Sequence, residues 1–314
     1  MIEKSSAPKV SIAVATSLAL LKALSGFFIG SLALLASSID SILDIVASSI
    51  NYFAIKKSEE PPDEKHPFGH SKFESMATFL QSIIIFLSGS FILYKSYEKM
   101  ISKGVVESVD AGIYVMLVSI VVTIFLSIFL KKVAKQTGSS VLMADALHYD
   151  MDILTNAGII IAFFIIKLTN FHVVDPIISI VISFYIIYSS IKLNFEVSKD
   201  LLDVELPKEL KDEIVKIIEE YDILHVDYHK LRTRRAGSKK FVDMHLTLCR
   251  NLSLKDAHII SDFIENRIRE NIPDSDVTIH VDPCDVADCP GIDACNDNKL
   301  KLELSKIKNG GEHV

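Results

Sequence analysis

Six stretches of mainly apolar sequence follow one another in the first two-thirds of this 314-residue chain, at about 10–30, 32–56, 75–99, 111–131, 141–166 and 175–197. Each is near the roughly 20 residues that a helix needs to cross the hydrocarbon of a bilayer. A chain in lipid must satisfy its backbone polar groups internally, so such runs can only be helices there. The pattern predicts a transmembrane domain of six helices over residues 1–199, with the lipid bilayer as its solvent. Pro176 falls in the first turn of the sixth helix, where proline is tolerated.

Lysine placement sets the expected orientation. With the N-terminus inside, the inner flanks carry eleven lysines, Lys4, Lys9, Lys56, Lys57, Lys65, Lys72, Lys131, Lys132, Lys135, Lys192 and Lys199, whereas the outer flanks carry four, Lys95, Lys99, Lys103 and Lys167. That asymmetry predicts a multi-pass protein of the cell inner (plasma) membrane with both termini cytoplasmic. The formal charge of −7 leaves no nucleic-acid footprint.

Ionisable residues inside two of these segments need a reason, because charge in hydrocarbon is expensive. Asp40 and Asp44 lie four apart in the second segment, and His148 and Asp152 lie four apart in the fifth. On a helix each pair shares one face. At 1.5 Å per residue, Asp40 and Asp44 sit about 18 and 12 Å from the inner boundary, and His148 and Asp152 about 10 and 16 Å from it. One ion could touch all four. Three carboxylates and one imidazole suit a divalent transition metal; the alternative is mutual neutralisation for packing. Asp150 points off the His148 face, Asp145 lies near the inner helix end, and Lys22 in the first segment reads as a snorkelling lysine.

Two further groups carry ligand-type residues. The loop Pro61-Pro62-Asp63-Glu64-Lys65-His66-Pro67-Phe68-Gly69-His70 could close Asp63, His66 and His70 on one ion, or present them to water. Beyond residue 200 the composition changes: residues 200–285 hold 19 Asp/Glu against 13 Lys/Arg. Helical spacing at 208–221 and 254–271 and alternation at 225–234, 240–249 and 276–281 predict an αββαβ domain over residues 200–285. His229, His245, His258, His280 and Asp282 gather in that stretch, as ligands or as scattered surface residues. Residues 286–314 read as a flexible tail bearing Cys289 and Cys295, and with Cys249 and Cys284 these are expected to be reduced thiols if they face the cytoplasm.

These motifs together resemble the cation diffusion facilitator family, of the bacterial zinc and ferrous-iron efflux type. The resemblance rests on Asp40-x3-Asp44, on Ala144-Asp145-Ala146-Leu147-His148-x3-Asp152, and on His66-Pro67-Phe68-Gly69-His70. Leu231-Arg232-Thr233-Arg234-x2-Gly237 and His280-x-Asp282-Pro283 add to it. It implies a homodimer and a ferredoxin-like α+β cytoplasmic domain that binds metal and dimerises. It implies no enzyme activity, but efflux of Zn2+ (or Fe2+, Cd2+, Co2+, Mn2+) by antiport against protons. Asp40, Asp44, His148 and Asp152 would then form a tetrahedral transport site under alternating access. Asp63, His66 and His70 would form the loop site, and His229, His245, His280 and Asp282, with His258 nearby, the cytoplasmic sites. A cation channel is the next reading, although a tight four-ligand site would hold an ion too long for fast conduction. A membrane metallohydrolase is less favoured, since no separate base or nucleophile motif accompanies the ligands.

Overall fold

The computed structural model describes residues 4–29, 32–102, 113–169, 171, 173–224, 227–285 and 298–310. The chain divides into two compact units, Met1–Leu201 and Leu202–Val314.

The first unit holds α1 (Ser6–Ile29), α2 (Leu32–Ser58), α3 (Lys72–Ser102), α4 (Ile113–Thr137), α5 (Ser140–Thr169) and α6 (Val174–Leu201). All six are long and apolar enough to cross a membrane. Several outrun the apolar segments that announce them: α3 starts at Lys72 and α6 ends at Leu201. Hydropathy reports only the part in hydrocarbon, whereas helical hydrogen bonding continues through the polar ends. The closest packing pairs α1 with α2, α3 with α6, and α4 with α5. Glycine permits close approach at two places. A Cβ on Gly89 would fall 2.7 Å from Ile186 Cγ2, and one on Gly158 would fall 2.5 Å from Ile182 Cδ1. Small residues at such crossings let backbones meet where lipid supplies no hydrophobic drive.

Many polar side chains inside the unit are engaged, although the buried Gln81 amide makes no hydrogen bond. Many serines and threonines return their hydroxyl to a carbonyl one turn back, as Thr155 does to Met151 and Ser49 to Ile45. A buried ionic knot joins three helices. Glu74 of α3, fully buried, receives Lys4 Nζ at 2.5 Å from the segment ahead of α1 and the Ser139 hydroxyl from the start of α5. Ser139 also accepts the Leu142 amide at 3.2 Å, which caps α5.

The second unit is a ferredoxin-like α+β layer. It comprises α7 (Lys208–Glu219), a 3-10 turn (Asp222–Leu224), β1 (Asp227–Ala236), β2 (Lys239–Leu248), α8 (Leu254–Asn271) and β3 (Ser275–Pro283). The sheet order is β1-β2-β3, with the first pair antiparallel and the second parallel. Gly237, at φ +60°, closes the β1–β2 hairpin in a conformation that side chains disfavour. Ile214, Ile217 and Ile218 of α7 and Ile260, Ile264 and Ile268 of α8 pack with Val242, Met244, Leu246 and Val277 of the sheet. Ser253 caps α8 by accepting the Asp256 amide at 3.1 Å.

The tail departs from expectation. Residues 298–310 form a further helix, α9 (Asn298–Gly310), where the sequence reads as flexible. Leu300 and Leu304 enter the core of this unit, Ile307 packs beside them, and Lys308 Nζ meets Asp256 Oδ1 at 2.6 Å. Three apolar residues at i, i+4 and i+7 are a minimal stripe, and the lysines between them hide it. Cys284 is buried, and Cys249 is disulfide-bonded, against the reduced-thiol expectation, which rested on compartment and not on geometry. Cys289 and Cys295 lie outside the described residues.

Candidate metal centres

Within the membrane unit, α2 and α5 bring Asp44, His148 and Asp152 together, with one ligand atom of each within 4.8 Å of the others. His148 Nε2 lies 2.9 Å from Asp44 Oδ1 and 3.9 Å from Asp152 Oδ2. The two helices supply the pairs for the reason their spacing gives: residues four apart stack on one face. Asp40 is not in this trio. It sits one turn from Asp44 on an exposed part of α2.

The trio has buried supports that ligand-type spacing alone does not reveal. Asp145, one turn before His148, accepts the Ser11 hydroxyl at 3.0 Å and the Asn51 amide at 3.1 Å. Tyr149 and Ser48 share a hydroxyl–hydroxyl bond of 3.2 Å. Ser41, Asp44, Ser48 and Asn51 recur every three or four residues, a polar stripe along α2 that was available as a signal. Asp150 points elsewhere, to Ser127 at 2.5 Å and Lys131 at 2.6 Å, and so ties α5 to α4. Lys22 does not snorkel free: its Nζ donates to Ser41 Oγ at 2.9 Å.

The loop between α2 and α3 closes Asp63, His66 and His70 into a second cluster. His66 Nδ1 is 3.2 Å from Asp63 Oδ1, and His70 Nε2 is 3.3 Å from Asp63 Oδ2. Asp63 Oδ1 also accepts the amides of His66 and Lys65, at 2.7 and 2.9 Å. Those bonds, the His66 amide foremost, hold its carboxyl below the usual carboxylate range. Gly69, at φ +83°, turns the chain beside Pro62. His70 is 2% exposed, yet neither of its ring nitrogens makes a hydrogen bond. A buried imidazole lacking hydrogen bonds, beside an ionised carboxylate and a second imidazole, fits a divalent ion of the zinc type.

The third cluster follows from strand register. His229 on β1 pairs with His245 on β2, and His245 pairs with His280 on β3, so all three rings share one face of the sheet. Asp282, two residues past His280, joins them from the same face. Its carboxylate meets His245 Nδ1 at 2.8 Å, His229 Nε2 at 3.3 Å and His280 Nε2 at 3.3 Å. The His245 bond chiefly holds the Asp282 carboxyl below its ordinary range. His229, His245 and Asp282 meet the same 4.8 Å ligand geometry. His258 stands apart: its side chain is 71% exposed on α8 and pairs with Asp262 at 3.3 Å. That helix packs on the face carrying Val242 and Met244, opposite to His245.

Comparison with known proteins agrees across the chain. Residues 9–202 match the cation efflux transmembrane domain, and residues 206–284 the cytoplasmic domain of cation efflux proteins. A cation-efflux pump FieF of Salmonella paratyphi A is 36% identical over 274 residues, covering 87% of this chain and 91% of its own. The FieF of Salmonella newport is 35% identical with the same coverage. Among solved structures, the metal-bound C-terminal domain of the CzcD transporter from Thermotoga maritima is 32% identical. It covers 25% of this chain and 94% of its own, with a TM-score of 0.23. The zinc form of CzrB is 31% identical, with coverage of 25% and 90% and a TM-score of 0.25. With both of its units matched in order, the chain belongs to the cation efflux, or cation diffusion facilitator, family: a multi-pass membrane transporter of divalent metal ions and not an enzyme.

Proposed function

We propose that this protein exports zinc or ferrous iron in exchange for protons, by alternating access to a site made of Asp44, His148 and Asp152 and completed by Asp40. The observation that carries the reading is the approach of His148 Nε2 to Asp44 Oδ1, 2.9 Å across two helices. Nitrogen and oxygen donors of this kind accommodate Zn2+, Fe2+, Cd2+, Co2+ and Mn2+. Metal and proton compete for the same atoms, because imidazole must be neutral and carboxylates ionised to coordinate. A proton on His148 Nε2 would be satisfied by Asp44; an arriving ion would replace it and draw Asp152 and Asp40 inward. Rocking of α2 and α5 against the other helices would expose the site to each side in turn.

The protein acts as a homodimer with both termini cytoplasmic, a topology that the eleven-to-four lysine asymmetry supports. The loop cluster and the sheet cluster bind ions that regulate and do not cross. Uptake by proteoliposomes under a pH gradient, metal by metal, tests the exchange. Metal-driven proton counterflow is expected for zinc and ferrous iron. Metal flux without proton movement would overturn antiport.

A further inference from the structure

Lys22 reaches the α2 segment that carries Asp40 and Asp44 from within the membrane, and nothing in the efflux reading uses it. It lies 16 residues beyond Ser6, about 24 Å along α1, well inside the bilayer. A lysine there normally extends its stem toward the nearer interface. Lys22 instead turns to α2 and donates to Ser41, a residue 1% exposed. Ser41 stands between Asp40 and Asp44 in sequence. The ammonium also interacts electrostatically with Asp40 and with Asp152. It therefore sits on the carboxylate side of the site, anchored by a neutral hydroxyl and not by a ligand.

We propose that Lys22 is a resident counter-cation of the transport site, which weakens metal binding enough to permit release. The inference rests on the assignment of Asp40, Asp44, His148 and Asp152 as that site. Three carboxylates gathered in low dielectric repel one another strongly when no ion is present. A fixed ammonium relieves that repulsion. With His148 neutral, one ammonium and one divalent ion together balance three carboxylates. Remove the ammonium and the same ligands hold the metal with an unbalanced negative charge, so the ion binds more tightly and leaves more slowly. Lys22 thus positions no ligand; it sets the affinity of those already in place.

Zinc transport by the full-length protein in proteoliposomes at fixed pH separates this role from a structural one, through KM and maximal rate measured independently. Lys22→Gln keeps a hydrogen-bond donor toward Ser41 but carries no charge; Lys22→Met removes both; Lys22→Arg keeps the charge. The neutral variants are expected to lower KM about tenfold or more and to lower the maximal rate, while Lys22→Arg stays near the parent. Damage to helix packing would instead raise KM or leave it unchanged. A parental or raised KM in Lys22→Gln overturns the inference, even if Lys22→Met fails to fold. Asp152→Ala run in parallel tests the underlying assignment. If it transports normally, the site itself is misassigned; if it is inactive while Lys22→Gln keeps its KM, only the role of Lys22 falls.

Discussion

His148 and Asp44 meet across α5 and α2 at 2.9 Å, closer than His148 comes to Asp152 on its own helix. Each residue comes with a partner one turn away on its own helix, so a change in the relation of the two helices alters every donor distance at once. That makes the site a natural element for a two-state transporter, since metal binding energy can be spent on helix position.

Loss of Asp152 should therefore abolish transport without unfolding the protein. Asp152→Ala removes a donor from a cluster that is already rich in negative charge, so fewer like charges remain to repel one another. Size-exclusion chromatography should give the parental elution volume and the flux assay no metal-dependent signal. His148→Asp should keep transport but shift it toward manganese, because an all-oxygen shell is harder. An unchanged metal preference in competition would remove His148 from the ligand set.

Glu74 is expected to matter for stability and not for metal. It is fully buried and answers both Lys4 and the Ser139 hydroxyl. Removing one partner of a buried pair costs about 3 kcal/mol. Glu74→Ala should lower the thermal midpoint in detergent by several degrees. Lys57→Ala, which breaks the exposed Lys57–Glu60 pair, should leave it unmoved.

Gly158 tests whether close packing of α5 on α6 positions the site. Its missing Cβ would lie 2.5 Å from Ile182 Cδ1 and 3.1 Å from Ile178 Cγ2. Alanine can be met by movement of those side-chain ends, at about 1–3 kcal/mol. Leucine cannot, and should displace α5 with His148 and Asp152 on it. Gly158→Ala is expected to retain transport at a reduced thermal midpoint, and Gly158→Leu to lose transport. Full activity in Gly158→Leu would mean that this contact does not position α5.

The six spans and the convergence of Asp44, His148 and Asp152 were legible in sequence because each depends on a local rule: apolar length, or residues four apart on one helix face. What escaped depends on neighbours far away in the chain. Asp145 reads as an end-of-helix carboxylate until Ser11 and Asn51 close on it. Lys22 reads as a snorkelling lysine until Ser41 accepts its hydrogen bond. His258 looks like a fifth ligand by proximity in sequence, but α8 covers the opposite sheet face. Helix α9 escaped for another reason: its apolar stripe is only three residues long, and it has meaning only against the core that Leu300 and Leu304 complete.

The sheet cluster should lose its metal on mild acidification, and with it part of the transport rate. Asp282 is held below its ordinary pKa, chiefly by the His245 bond. A carboxylate of depressed pKa contributes its stabilisation above the unfolded value, near 3.9, and loses it only as pH falls through the lower folded value. Between pH 7 and 5 Asp282 therefore stays ionised, and metal loss in that window reports competition between protons and metal for the other donors, since a ligand must be deprotonated to coordinate. Zinc should raise the thermal midpoint at pH 7, and the gain should fade before pH 5. His245→Ala combined with His280→Ala should remove the gain at every pH. The ions at this cluster regulate in the reading proposed above, and such coupling is typically worth about 1–3 kcal/mol. The double variant should accordingly slow zinc transport several-fold and leave it measurable. Spin-label distances between the C-terminal units of the dimer should shorten with zinc in the parent and stay constant in the variant. Normal zinc-induced shortening in the double variant, or transport as fully lost as in Asp152→Ala, would show that these residues do not serve as a regulatory site.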